Sequence, residues 1–265
     1  MHLEIIEKQD EWSKRFARWP ANDALRNYPW AENVRAPLTP IRRSLPMLNL
    51  ALISTAGGYI DGIEPFDTES KDGDLHYREI PIEVDAGDIR YAAKGYDPKH
   101  VYEDRNCQVP IDRLLEYQAN AVIGNLNGVW WSISSHIPNA SRVADELGPA
   151  LAERLHRYDV QAALLIPASR LCHQTAGVTA RVIEDSGIPT MCISVDPTIT
   201  DRVRPPRTAY YTGEFGTVAG RPNWREYQLR VLDESLRWLE TFDQPGSRKL
   251  AVDLETQTEA ARGER

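Results

Sequence analysis

The stretch Ala162-Ala163-Leu164-Leu165-Ile166-Pro167-Ala168-Ser169-Arg170-Leu171-Cys172-His173-Gln174-Thr175-Ala176-Gly177, running on to Ser186-Gly187-Ile188-Pro189-Thr190, decides how the rest of the chain is read. Its five apolar residues Ala162 to Ile166 are too few for a helix and are flanked by breakers, which predicts a buried strand. Pro167 has no N–H for a ladder and ends it. From Thr175 the apolar residues Val178, Val182 and Ile183 recur at helical spacing until Gly187 closes the run. Cys172 and His173 then fall between the C-terminal end of a strand and the first turn of a helix. Open α/β sheets bind ligands at that place, and a helix N-terminus favours negative charge there. A thiol so placed is expected to be more acidic than a free one.

Outward from this unit, strands and helices alternate. Met47 to Ser54 reads as a core strand, followed by the turn Thr55-Ala56-Gly57-Gly58. Ala121 to Leu126 reads as another strand, and Asn127 to His136 as a polar, aromatic loop on the same crevice. Val143, Leu147, Leu151 and Leu155 have a helical period despite Pro149. Thr190 to Val195 gives a further strand, and Trp224 to Phe242 an amphipathic helix. The expected fold is α/β, a three-layer sandwich with a largely parallel central sheet. Residues 1–46, rich in tryptophan, proline and arginine, form an N-terminal arm anchored by Trp12, Trp19 and Trp30. Residues 47–245 form one α/β domain, and 246–265 a C-terminal tail, polar and disordered from about Glu255.

The totals exclude several classes. The chain has 265 residues and a net charge of −8, which argues against nucleic acid as the partner. No apolar run approaches the roughly 20 residues that a membrane span needs, and the N-terminus lacks the order of a signal peptide. Three cysteines, Cys107, Cys172 and Cys192, make no disulfide framework. A cytoplasmic protein with free thiols is the expectation. No metal-ligand spacing and no dinucleotide fingerprint is present, so no metal or tightly held cofactor is expected.

The candidate catalytic residues are Cys172 as nucleophile, His173 for proton transfer and Ser169. Arg170 is a candidate clamp for a substrate carboxylate, as is the basic segment Arg202, Arg204 and Arg207. Gly57 and Gly58 permit close approach of backbone to a ligand. Cys107, His136 and Thr175 complete the candidate substrate-binding set, with Cys107 also a replacement resolving thiol if its loop folds over the crevice. Cys192, mid-strand, reads as core.

Several landmarks, in order, carry a resemblance: Ser54-Thr55-Ala56-Gly57, Pro65-Phe66-Asp67, Gly73-Asp74, Tyr77-Arg78 and Gly95-Tyr96-Asp97. Asn106-Cys107, Pro110-Ile111-Asp112, Cys172-His173, Gly187-Ile188-Pro189-Thr190 and Gly220-Arg221-Pro222-Asn223 follow. From about Leu48 to Leu239 the chain resembles the B component of the glycine, sarcosine and betaine reductases, nearest to the D-proline reductase selenoprotein branch. The resemblance implies a selenocysteine after the central strand, then two residues, then a resolving cysteine. It also implies a substrate activated by a pyruvoyl partner subunit, and reductive cleavage of a carbon–nitrogen bond. By position, Ser169 stands for the selenocysteine and Cys172 for the resolving cysteine. A serine hydroxyl cannot do selenol chemistry, the flanking glycines are missing, and Ala93 and Lys94 stand where the resemblance implies a histidine.

Three functions follow as expectations. One is a thiol-dependent enzyme cleaving a C–N or other C–heteroatom bond of a small molecule through Cys172, fed by an external thiol reductant. The second is a redox-neutral cysteine-dependent lyase, hydrolase or isomerase. The third is an inactive subunit that binds a ligand or a partner, with the Trp-rich arm as the contact to a partner subunit or second copy.

Overall fold

The computed structural model describes Lys14, residues 17–19 and residues 25–262. Trp12 and most of a short helical pattern at Glu7 to Arg18 lie outside them. The strands are β1 (Asn49–Ser54), β2 (Gly58–Ile60), β3 (Tyr77–Pro81), β4 (Ile89–Tyr91), β5 (Asn125–Leu126), β6 (Val129–Ile133), β7 (Ala162–Ile166), β8 (Thr190–Ser194), β9 (Arg207–Tyr210) and β10 (Gly246–Lys249). The helices are α1 (Lys99–Glu103), α2 (Ile111–Ala119), α3 (Gly148–Arg157), α4 (Arg170–Asp185), α5 (Pro197–Val203), α6 (Arg225–Thr241) and α7 (Val252–Ala261).

The central sheet runs β10-β9-β8-β7-β1-β6-β3, with β5 also paired to β1. Its pairs are parallel except β3 against β6. Parallel strands covered on both faces show continuous apolar runs rather than alternation, and β1 and β7 are buried along nearly their whole lengths. Their side chains still divide by parity. Leu50, Leu52, Leu164 and Ile166 join one core with α2 and α6. Ala51, Ile53, Ala163 and Leu165 join the other with α3, α4 and α5. The result is the three-layer sandwich.

Three local readings change and one stands. The segment Ala121 to Leu126 contributes only β5; Ala121 sits at φ 54, so the chain turns there instead of running straight. The strand is β6, inside the stretch read as a loop, with Trp130 and Trp131 both fully buried. Helix α3 keeps its period because Pro149 falls in its first turn, after a π-helical turn at Val143–Leu147. The turn before the proline is itself helical, and its wider π geometry accommodates a residue that lacks the N–H. The tail beyond residue 245 holds the sheet's last strand β10 and then α7, where disorder from Glu255 was expected.

The arm from Tyr28 to Thr39 packs on α4 through buried polar contacts. Gln174 accepts the Ala31 N–H and donates to the Tyr28 hydroxyl, each at 2.8 Å. Arg181 donates to the carbonyls of Arg35 and Arg204. Glu184 accepts the Thr39 N–H at 2.7 Å and pairs with Arg207 at 2.5 Å, both charged side chains fully buried. Tyr28 and Trp30 are buried against the same layer. Thus α4 carries the arm along its length and the candidate turn at its start.

Candidate functional site

The site follows from topology. From β1 the chain passes over the α2 face to β6; from β7 it passes over the opposite, α4 face to β8. Adjacent strands whose connections leave on opposite faces part at their carboxyl ends, and the crevice there is the usual ligand position. In this chain that point lies between Thr55, after β1, and the turn 167–172, after β7.

Ser169 is the N-cap of α4, with extended backbone and its Oγ accepting the Cys172 N–H at 3.2 Å. This satisfies one of the helix's unpaired first donors. Cys172 is the third helical residue. Its Sγ lies 3.3 Å from the carbonyl oxygen of Thr55 and 3.3 Å from that of Ser135, so the thiol bridges the ends of β1 and β6. It is 1% exposed.

The turn is roofed by two loops. Gly95, at φ +83, packs on Ser169, and the Tyr96 hydroxyl donates to Ala56 at 2.6 Å. The Gly216 N–H donates to Ala168 at 2.8 Å, and its Cα packs on the Tyr96 ring. Gln108, fully buried, ties this roof to the strand: its amide donates to Ile166 and Pro167 while its oxygen accepts the Val218 N–H.

His173 does not face the thiol's partners. Its Nδ1 meets the Ser169 carbonyl at 2.6 Å and its Nε2 accepts the Val195 N–H at 3.1 Å. That pairing fixes the neutral tautomer with the proton on Nδ1. Burial pushes its pKa down to about 4, against the pull of the Ser169 carbonyl. Both nitrogens are occupied, so the expected proton-transfer role gives way to a brace between α4 and the end of β8.

The other candidates divide. Arg170 pairs with Asp196 at 2.9 Å and lies over Phe215, remaining about half exposed. The space that Gly57 and Gly58 leave is filled by protein rather than ligand, by the Ala92 carbonyl and the Trp130 ring. The Thr175 hydroxyl turns back on its own helix at Leu171. Cys107 directs its thiol to the Gly216 carbonyl at 3.5 Å, and burial with nearby Asp104 pushes its pKa up. Cys192 is buried in β8, and all three cysteines are free. His136 follows the Ser135 that touches Cys172. Its half-buried ring is held at a pKa of about 4 by burial and then by Lys94, against Glu69.

The basic segment is not at this site. Arg207 is spent on Glu184, Arg202 on Glu32, and Arg204 on the Val34 carbonyl. Sequence reasoning missed Gln108, Tyr96 and Ser135; the only signal for Gln108 was a polar residue inside a buried apolar run. Among the described residues no three His, Cys, Asp or Glu side chains gather as a metal-ligand set, and no helix is long and apolar enough to cross a membrane. Two open clefts, of about 640 Å³ beside residues 34–36 and about 440 Å³ beside residues 64–76, are not lined by the turn 167–173.

Comparison with known proteins agrees with the family resemblance. D-proline reductase subunit gamma of Acetoanaerobium sticklandii is 30% identical over 201 residues, covering 76% of this chain and 82% of that protein. Glycine reductase complex component B subunit gamma of Symbiobacterium thermophilum is 28% identical over 61% of this chain, which spans only 38% of that longer protein. Sarcosine reductase complex component B subunit beta of Peptoclostridium acidaminophilum is 25% identical over 61% of this chain and 37% of that protein. No solved structure matches. The family model Glycine/sarcosine/betaine reductase selenoprotein B (GRDB) matches residues 27–168, ending one residue before Ser169. With more than half its length matched, the chain belongs to the glycine/sarcosine/betaine reductase selenoprotein B family.

Proposed function

We propose that this chain is a B-component-type subunit of a reductase assembly, acting on a small amine- or carboxylate-bearing molecule with Cys172 as its sulfur nucleophile. Relatives named as subunits of reductase complexes support the assembly. The observation that carries the chemistry is the Cys172 Sγ at the switch point, 3.3 Å from Thr55 O and Ser135 O, on the first turn of a 16-residue helix.

With serine at position 169, two-electron chemistry needs an outside thiol. The Cys172 thiolate attacks the carbon of the C–N bond, a C–S bond forms, and the amine leaves with a proton. An external thiolate then attacks the Cys172 sulfur; the carbon departs with the C–S electron pair and is protonated, leaving a mixed disulfide. A second external thiol releases Cys172. Substrate and two thiols become the cleaved product, the amine and one external disulfide. Access requires the Gly95–Tyr96 and Phe215–Gly216 loops to part, and a partner subunit docking on them would supply that opening.

A second reading, a ligand-binding subunit without turnover, is favoured by the burial of Ser169 and Cys172 at 1% each. One experiment separates them. The full chain and Cys172→Ala are incubated with small amino acids and N-alkyl amines, with and without dithiothreitol, and amine release is followed by NMR. Release that needs dithiol and Cys172 supports the reductase. Release without dithiol that still needs Cys172 makes the enzyme redox-neutral. Binding without release in both proteins leaves the binding subunit.

A further inference from the structure

The outer part of the roof is a short tip after β9, Thr212-Gly213-Glu214-Phe215-Gly216. Thr212 and Glu214 are exposed, yet Phe215 is half-buried. Its ring meets the His173 ring edge-on, with centroids 5.7 Å apart, and the Arg170 guanidinium lies 6.0 Å above it. One aromatic side chain thus seats the tip on the first turn of α4. Beside it, the Gly216 N–H to Ala168 O bond joins the tip to the turn.

Arg170 is held over that ring by Asp196. An aspartate at a helix N-cap ordinarily accepts one of the helix's free N–H groups. Asp196 is the N-cap of α5, but its side chain caps nothing. Its carboxylate, 6% exposed, turns instead to Arg170, with Nε 2.9 Å from Oδ2. The alignment is not that of a hydrogen bond, and among the described residues Oδ2 accepts none. A buried carboxylate is costly unless paired, so Asp196 keeps Arg170 in place. Poor alignment makes the tie weaker than a bidentate pair.

The tip bears on the thiol through Tyr96. Gly216, at φ +82, lies so close to the Tyr96 ring that a Cβ there would come within 2.7 Å of Cδ2. The Tyr96 hydroxyl and the Cys172 thiol are held by consecutive carbonyls, Ala56 at 2.6 Å and Thr55 at 3.3 Å. The cover over Cys172 is therefore double, with Tyr96 inside and the tip outside. Gly213 and Gly216 bracket Glu214 and Phe215, and glycines absorb the φ/ψ change of a hinge without a Cβ clash.

We infer that Asp196, Arg170 and Phe215 form a latch that holds the 212–216 tip shut over Tyr96, and that its release is the motion that admits a molecule to Cys172. The inference rests on the proposed function for what enters, but not for the opening itself.

The test is the rate at which iodoacetamide labels each cysteine of the full chain under native conditions, read by peptide mass spectrometry. Labelling of a buried thiol follows the population of the open form. Phe215→Ala and Arg170→Gln each raise the Cys172 rate about tenfold, the effect of losing one contact of ordinary strength from the closed form. Phe215→Tyr, which keeps the ring, labels Cys172 as slowly as the wild type. Cys192, in the core of β8, keeps its wild-type rate in all three variants, which separates opening of the tip from loosening of the fold. Unchanged Cys172 rates in Phe215→Ala and Arg170→Gln, a Cys192 rate that rises with them, or a Phe215→Tyr protein as fast as Phe215→Ala would each overturn the latch. Latch effects without Cys172-dependent amine release sink the thiol chemistry alone; amine release with unchanged labelling sinks the latch alone.

Discussion

Gly95 rests directly on Ser169: a Cβ added at Gly95 would lie 3.2 Å from the serine Cβ and 3.3 Å from its Oγ. The same glycine has φ +83, where an L side chain costs roughly 1–2 kcal/mol. Gly95→Ala is therefore expected to lower stability by about that much and to lift the roof from the turn. Peptide mass spectrometry of alkylation against time checks this. In the wild type all three buried cysteines label slowly; in Gly95→Ala, Cys172 labels faster while Cys192 does not. An unchanged Cys172 rate would mean that the Gly95 loop does not control access.

His173 makes stability depend on pH. Its folded pKa of about 4 lies below the unfolded value of about 6.5. As pH falls through 6.5 the unfolded chain takes up a proton that the folded chain refuses until about pH 4. Stability is therefore full above pH 6.5 and drains away below it, by on the order of 3 kcal/mol for this fully buried ring. His136, lowered in the same direction, adds to the same window. Urea denaturation at pH 7.5, 6, 5 and 4.5 should show the fall, and His173→Gln should be weaker at pH 7.5 but flatter across the series. A parallel pair of curves would dismiss His173 as the source.

Glu184 and Arg207 form a fully buried pair that also holds Thr39 of the arm. Burial pushes the Glu184 pKa up against the attraction of Arg207, so desolvation consumes much of what the pair gains. Removing one partner leaves a buried charge alone, at a cost of about 3–5 kcal/mol. Glu184→Gln should therefore lower the urea midpoint strongly and open the arm to proteolysis near residue 39. The double variant Glu184→Leu with Arg207→Met should recover much of the midpoint while still losing the arm contacts. Equal loss in both proteins would show that hydrogen bonds to Thr39, not charge, dominate.

The central unit was legible because its signals are local. A five-residue apolar run, a proline and a glycine stop announce β7 and α4 without help from elsewhere; the helix start at Arg170, five residues before the first helical signal at Thr175, is set by the Ser169 cap. Strand β6 was missed because it is covered on both faces, so Trp130 and Trp131 erase the alternation that marks a strand, and Asn127-Gly128 mimics a loop. The roles of His173 and the basic segment were hidden for another reason. Val195 is 22 residues from His173 in sequence, and Glu184 is 23 from Arg207. Such pairings are fixed by how the layers stack, and nothing in either local stretch announces them. The thiol's place in the crevice could be read from the strand–turn–helix order; its burial depends on Gly95, Tyr96 and Gly216, brought in from distant loops.

Ser169→Cys tests what the turn has lost. The N-cap and the third helical residue sit one turn apart, with Ser169 Oγ already 3.2 Å from the Cys172 N–H. A cysteine at 169 creates a Cys-x-x-Cys pair at a helix N-terminus, the setting in which thiols are acidic and disulfides form readily. Mild oxidation of Ser169→Cys should give an intramolecular 169–172 disulfide, read as two thiols lost per chain and a linked peptide after digestion. The reduced variant should be less stable than the wild type by about 1 kcal/mol, because sulfur caps poorly, and Ser169→Ala should show the same loss without the disulfide. If the pair forms, the backbone of the turn still fits a redox couple, and serine at 169 alone withholds it. If both thiols stay free under oxidant, the Gly95 and Gly216 loops hold the turn in a shape that serves capping only, and the ligand-binding reading of this subunit gains the ground that the thiol chemistry loses.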